Sequence, residues 1–392
     1  MRSLDYFLET GLRNSPLLND LQNQLNTTAI DSLIIKADRK PKIEARSGLL
    51  YAPYNKNFGY DEVITDGGNY QAIGFVSQDI FTSKKVDNKY QSVANLKTGL
   101  GIDKKITEAE FRRSITSLYL DSYSVFSDLT FNRSFFTLMN EQDRINQGFV
   151  KAGIITRSEY LAALIETREQ EIIVDRLNNL YMKSIRLLNE ICGLKDSSYF
   201  ELLAPGIALS GQDKPSDYLL LKQFYADSLK LENDRDALNL KYKPSVNWFA
   251  DAGIMTSNPF NFYNHFGLSA GISLSFPLYD GHQKVLEEKK LTISENTRSF
   301  YSSSYRKQYD QKYTGLEKEL EGVREVRTKI ESQLKTADEL VKSLKLQLET
   351  GLIRMNDYLT ALKNYRNISH NLSVADIEIY RLINEMNYFL AK

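Results

Sequence analysis

Apolar and polar positions in the second half of the chain change period twice. Over 213–241, Tyr218, Leu221, Phe224, Leu229, Leu231 and Leu238 recur mostly at helical spacing and predict a helix. Lys243-Pro244 ends it, because proline disfavours helix in the residue before it. The pattern then turns to period two. Val246, Trp248, Ala250, Ala252 and Ile254 share one face, with Asn247 and Asp251 on the other. Phe266, Leu268, Ala270, Ile272, Leu274 and Phe276 alternate with Gly267, Ser269, Gly271, Ser273 and Ser275, which predicts a second strand. From about 282 to 349 helical spacing returns. Leu316, Leu320, Val323, Val326, Ile330, Leu334, Ala337, Leu340, Leu344 and Leu348 step by threes and fours, as along a coiled-coil seam. A helix of that length reaches on the order of 100 Å at about 1.5 Å per residue. A last helix, roughly 356–391, carries a stripe through Leu362, Tyr365, Ile368, Leu372, Ala375, Ile379, Leu382, Met386 and Phe389.

The first half has the same order in weaker lettering. A helix over 3–38 is interrupted at Asn14-Ser15-Pro16, where Ser15 can cap and Pro16 can take the first helical position. Strands follow near 42–52 and 70–80, then a long helix to about 150. Gly99-Leu100-Gly101 falls inside that helix. A phosphate loop there lacks the preceding strand such a loop requires, so a local irregularity of the helix is expected instead.

The two halves share letters as well as order. Ala152-Gly153-Ile154-Ile155-Thr156-Arg157-Ser158-Glu159-Tyr160-Leu161-Ala162-Ala163-Leu164 recurs 198 residues later as Thr350-Gly351-Leu352-Ile353-Arg354-Met355-Asn356-Asp357-Tyr358-Leu359-Thr360-Ala361-Leu362. Lys40-Pro41 pairs with Lys243-Pro244, and Ser77–Phe81 with Ser275–Tyr279, at nearly the same offset. Three landmarks in register indicate a tandem duplication. It divides the chain into a first repeat over 1–200, a connection over 201–212 and a second repeat over 213–392.

Composition narrows the function classes. Eight prolines and twenty glycines in 392 residues let helices run far before a breaker. Lysine plus arginine balances aspartate plus glutamate at 50 each, so nothing calls for nucleic acid or another polyanion. The lone Cys192 ends an apolar stripe and reads as a packing thiol; His265, His282 and His370 have no metal-ligand spacing, and the methionines are few and scattered. No histidine lies near a turn serine or cysteine, and no paired acids occupy a strand-to-loop context, so neither catalysis nor a cofactor is expected.

No apolar run is long enough for a transmembrane helix, and the first residues lack a signal-peptide core. Either the protein is cytosolic, or an export signal has been removed and Met1 stands in its place. The strands favour the second. Each is about ten residues, long enough to cross a bilayer at a tilt. Lys42, Glu44 and Arg46 alternate with Ile43, Ala45, Leu49 and Tyr51, which suits a polar lumen inside an apolar outer band. A one-sided soluble sheet fits the same alternation. Aromatics at two levels favour the membrane: Tyr51, Tyr54, Phe58 and Tyr60 in one loop, Phe260, Phe262, Tyr263 and Phe266 in the other, and Phe81 and Tyr279 at the opposite ends. Four strands cannot close a barrel, and an open edge in lipid leaves backbone groups unpaired, so the chain must oligomerise.

The repeat, the Gly-Leu-Ile turn before Asp-Tyr-Leu, Phe276-Pro277-Leu278-Tyr279-Asp280-Gly281, and the opening Leu4-Asp5-Tyr6-Phe7-Leu8 through Asn14-Ser15-Pro16 together resemble TolC-type outer-membrane efflux proteins. The resemblance implies a mainly α fold with a small antiparallel β part. Internally duplicated long helical hairpins form a trimeric α-barrel of twelve helical strands, continuous with a twelve-stranded transmembrane β-barrel, four strands per protomer. It implies a homotrimer that conducts passively from the periplasm to the exterior in a tripartite efflux or type I secretion system. The partners would be a periplasmic membrane-fusion adaptor, an inner-membrane pump reached through it, and outer-membrane lipid. The adaptor would dock on the turns Lys151–Ser158 and Glu349–Asn356, at Gly153, Ile154, Ile155 and Arg157, and at Gly351, Leu352, Ile353 and Arg354. A carboxylate six residues after each turn glycine would line the pore gate, which maps to Asp357 and to Glu159. Thr360 stands where the best-known member has a second aspartate, and Asp79-Ile80-Phe81-Thr82-Ser83 replaces the Pro-Leu-Tyr-Asp-Gly lettering in the first half. Asp357 also suits the positive end of a helix dipole, its plainer reading, and Glu159 has the lesser claim to the gate. Arg354 and Arg157 are candidates to bridge neighbouring helices. A soluble periplasmic coiled-coil scaffold or adaptor with a small β-domain is the competing class.

Overall fold

The computed structural model describes residues 1–53, 55, 57–60, 67–196, 198–211 and 218–391. Tyr54 and the side chain of Phe262 lie outside the described residues. Helix α1 (Leu4–Asn14) stops at Ser15, and Pro16 opens α2 (Pro16–Asp38), with the Ser15 hydroxyl accepting the Leu18 N–H at 3.4 Å. That is the cap-then-proline arrangement expected there. The order continues β1 (Lys42–Tyr51), β2 (Gly68–Ile80), α3 (Ser83–Lys151), α4 (Arg157–Ile191), α5 (Leu219–Lys241), β3 (Ser245–Thr256), a 3-10 turn (Pro259–Asn264), β4 (Phe266–Ser275), α6 (Gln283–Glu349) and α7 (Met355–Phe389). Helices α3 and α6 have 69 and 67 residues, and α4 and α7 have 35 each. No described helix is apolar enough over its length to cross a membrane.

Two expectations change. Helix α3 runs through Gly99 and Gly101 without interruption, so the irregularity expected there is absent. Each glycine faces open space and costs only helix propensity, about 1 kcal/mol relative to alanine. Tyr218 belongs to no helix. It sits just before α5, accepts the Leu221 N–H through its carbonyl at 2.9 Å, and donates its phenol to Asp310 at 3.1 Å. Its apolar ring is buried as the stripe suggested, but as an anchor ahead of the first turn.

The chain forms two compact units. One consists of Gln22–Gly101 and Gln223–Ser302 and contains the sheet, whose order is β1-β2-β3-β4 with every neighbour antiparallel. The register pairs Glu44 with Phe75, Phe75 with Asp251, and Asp251 with Ser269. Alternation therefore puts successive side chains on opposite faces, with Ile73, Phe75, Phe249 and Met255 set among the polar residues of one of them. One face carries Ile43, Leu49, Val76, Trp248, Ile254, Leu268, Ile272 and Leu274, and most of these are exposed. The opposite face carries Lys42, Glu44, Arg46, Gln71, Ser77, Asp79, Asn247, Asp251, Ser269 and Ser273. Strands β1 and β4 form the two edges.

The other unit, Met1–Leu21, Ile102–Lys222 and Ser303–Lys392, is helical and has two cores. The first gathers Phe7, Ile115, Tyr119, Tyr181, Ile185, Leu188 and Cys192 under Phe200 and Leu202. The phenols of Tyr119 and Tyr181 donate to the carbonyls of Leu203 and Phe200, both at 2.7 Å, so the polar tips of two buried rings are satisfied. Arg2 ties the start of the chain to the same segment. Its backbone bridges Leu202, its guanidinium lies 4.1 Å above the Phe200 ring, and it pairs with Asp196. Cys192 is fully buried and burial pushes its thiol up to about 11, which suits a packing role. The second core joins Phe135 and Met139 of α3, Ala163 of α4, Leu348 of α6, and Met355, Tyr358, Leu359 and Leu362 of α7.

Candidate functional site

The two helix reversals have the same backbone chemistry. After α3 the Gly153 N–H donates to the Val150 carbonyl at 3.1 Å, and the Ile154 N–H reaches back to Phe149 at 2.9 Å. After α6 Gly351 donates to Leu348 at 3.0 Å and Leu352 to Gln347 at 2.9 Å. Both are Schellman ends, with φ of +69° at Gly153 and +73° at Gly351. Nothing lies within 4 Å of where a Cβ would stand at either position, so conformation alone calls for glycine. Ile154 and Leu352 project into solvent, while Ile155 and Ile353 are half-buried and Ile353 packs on the second core.

The helices that follow are capped unequally. Thr156 and Glu159 form a full capping box: the Thr156 hydroxyl accepts the Glu159 N–H at 3.2 Å, and the Glu159 carboxylate accepts the Thr156 N–H at 2.8 Å. At α7 the Asp357 carboxylate accepts the Arg354 N–H at a long 3.4 Å, and arginine has no acceptor to return the bond. The backbone bond from Thr156 is the main cause that holds the Glu159 carboxyl below its usual range. Its hydroxyl adds to this, and the Arg354 guanidinium contributes from the other turn. The structure thus brings Arg354 into the field of Glu159, whereas Arg157 is exposed in the first turn of α4 and Asp357 is exposed in that of α7.

Beyond the turns, polar ties cross between helices that sequence reasoning missed. Glu166 of α4 and Lys363 of α7 pair at 2.7 Å. Buried Gln170 accepts from Arg366 at 3.1 Å and donates to the Asn132 side-chain and backbone oxygens at 2.9 and 3.2 Å, so α3, α4 and α7 are tied through one amide. Glu166, Gln170, Lys363 and Arg366, with Phe135 and Leu359, line a cavity of about 110 Å³. A signal existed. At the repeat offset of 198, Asn132 and Gln170 fall opposite Ile330 and Ile368, so two polar letters interrupt a stripe that is apolar in the other half.

No protein-family profile matches the chain, and no curated protein matches it in sequence. Solved structures do match in fold. The outer membrane protein VceC from Vibrio cholerae superposes with a TM-score of 0.78 at 12% identity, over 99% of this chain and 96% of that one. The Campylobacter jejuni CmeC outer membrane channel gives 0.76 at 10%, over 98% and 85%. The open-state MtrE outer membrane channel of Neisseria gonorrhoeae gives 0.75 at 10%, over 99% and 88%. The chain therefore has the fold of outer-membrane channel proteins. Within that class the long helical hairpins and the four-stranded sheet are the TolC-type arrangement, the one the sequence motifs resemble.

Proposed function

We propose that this protein is the outer-membrane channel of a tripartite efflux or type I secretion system, a homotrimer that conducts passively from adaptor and pump to the cell exterior. The sheet carries this reading. One face is apolar and exposed, the other is charged and hydroxylated, and β1 and β4 are left as edges. Water does not favour such an apolar face, and lipid does not tolerate open edges. Three copies joined head to tail give twelve strands, with β4 of one copy antiparallel to β1 of the next and a single polar lumen. The helices beside those edges support the same closure. Helix α2 leads into β1 and exposes Ile30, Leu33 and Ile34; α6 follows β4 and exposes Leu286, Ile293 and Phe300 at heptad spacing.

In this reading the two turns are the adaptor-docking tips and Asp357 contributes the gate carboxylate. Three copies make it a ring that favours cations at a narrow pore. Glu159 takes the lesser share, because its carboxylate is already held by its own cap. The matched lengths of α3 and α6, and of α4 and α7, support a duplicated chain with repeats over 1–200 and 213–392. Export across the inner membrane is part of the proposal. The test is extraction and recording. The channel needs detergent for release, runs as a heat-labile trimer, and conducts ions in a planar bilayer. Release without detergent as a non-conducting species would replace this reading with the soluble scaffold.

A further inference from the structure

The polar face of the sheet is not uniformly polar. Phe75 of β2 and Phe249 of β3 lie on it with nearly parallel rings, 6.0 Å between centroids and 17° between planes. Arg46 of β1 caps Phe75, its guanidinium carbon 3.5 Å from the ring centroid, and the same guanidinium is paired with Glu44 at 3.0 Å. Phe249 lies over Gly271 of β4, where an added Cβ would meet the ring at 2.6 Å. An arginine and two rings thus form a strip across all four strands, seated on a glycine. Asp251 adjoins the strip. It is the direct cross-strand partner of Phe75, two residues from Phe249 on the same face, and it takes a hydrogen bond from Ser269 at 2.6 Å. Glu44 offsets Arg46 and Asp38 offsets Lys42 at 3.5 Å, so the charge left beside the rings is negative.

We propose that this strip is a contact site for planar aromatic cations passing through the lumen. Half-buried Phe249 offers a flat apolar surface and a negative π-face that Arg46, seated on Phe75, does not take, and the Asp251 carboxylate supplies the counter-charge. The site rests on the channel reading above, which makes this face the lumen wall. Aromatic anions meet the same rings with the carboxylate opposed to them. The contact is weak by construction, as a conduit requires, because a solute held tightly would block it.

Trp248 provides the readout. It is the only tryptophan, it neighbours Phe249 in β3, and it faces the opposite side of the sheet, where its indole N–H donates to Gln78 at 3.1 Å. DAPI, a planar aromatic cation that absorbs tryptophan emission, is titrated into detergent-solubilised trimer, with empty micelles as the blank. Saturable quenching is expected, weakened about two- to fivefold in Asp251→Asn and in Phe75→Leu, as loss of one exposed charge contact or one ring contact implies. Anilinonaphthalene sulfonate, an aromatic anion, should give no saturable phase. Asp251→Asn keeps the side-chain shape, and heat-labile trimer with unchanged Trp248 emission verifies its fold. Unsaturable DAPI quenching, or equal affinity in wild type and in a folded Asp251→Asn, overturns the site. Wild-type protein that conducts but shows no saturable quenching overturns the site alone, whereas wild type that never conducts overturns the channel reading beneath it.

Discussion

Ile293 offers the sharpest measure of whether α6 meets a neighbouring copy. In the single chain it is 66% exposed, between Leu286 at 62% and Phe300 at 70% on the same heptad line. Ile293→Ala removes about three CH₂ equivalents, each worth about 0.8 kcal/mol when fully buried. Scaled by the exposed two-thirds, the loss is about 1.6 kcal/mol per helix seam, or about 5 kcal/mol over the three seams of a ring. At about 1.4 kcal/mol per decade that raises the trimer dissociation constant by three to four orders of magnitude. Alanine is the better helix former, so lost helix propensity cannot produce this result. Dilution series of purified protein in detergent, read by analytical ultracentrifugation, measure the shift against Lys289→Ala, an exposed polar position on the same helix. A double substitution with Leu33→Ala should cost less than the sum of the two singles if the stripes face each other. Ile293→Ala trimers that dissociate at wild-type concentration would refute the seam.

Three further outcomes are expected. Gly351→Val places a β-branched residue at φ +73°, a strain of about 1–2 kcal/mol confined to the tip, so limited proteolysis there should quicken and efflux should fail while trimers stay heat-labile as in wild type. Gly351→Asn should be nearly silent in the same proteolysis, since asparagine tolerates left-handed backbone. Lys363→Ala removes a partly exposed pair of about 0.2–1 kcal/mol between α4 and α7 and should raise single-channel open probability; unchanged gating would mean Glu166–Lys363 does not restrain the tip. Asp196, held down to about 2 chiefly by the Ser198 hydroxyl and N–H and then by Arg2, lies below its ordinary 3.8. Its contribution is therefore full above about pH 4 and lost as pH falls towards 2. The gap in melting temperature between wild type and Asp196→Asn, followed by circular dichroism, should close over that interval.

Local features were legible where one residue type acts alone. Period-two patterning located β1 to β4 because the register leaves every second side chain on one face, and proline marked boundaries by opening α2 at 16 and by disfavouring helix in the residue before it at 41 and 244. The tip glycines were readable for the same reason, since a positive φ leaves few alternatives. Tyr218 misled because its ring is buried like its neighbours' while its phenol reaches Asp310 from outside the helix. The relay through Asn132, Gln170 and Arg366 joins residues up to 234 positions apart. Nothing local distinguishes a buried, satisfied glutamine from a solvated one. The stack of Arg46, Phe75 and Phe249 was hidden likewise. Each is an ordinary strand residue until the register sets them side by side.

The twin Schellman ends separate how the chain turns from what it shows at the turn. Direction is reversed by backbone bonds and one glycine, while Ile154 and Leu352, the side chains at the apex, take no part in making it. The apex letters can therefore change freely without rebuilding the hairpin beneath. The two apices of one chain can also diverge from each other while both helix reversals keep the same backbone bonds.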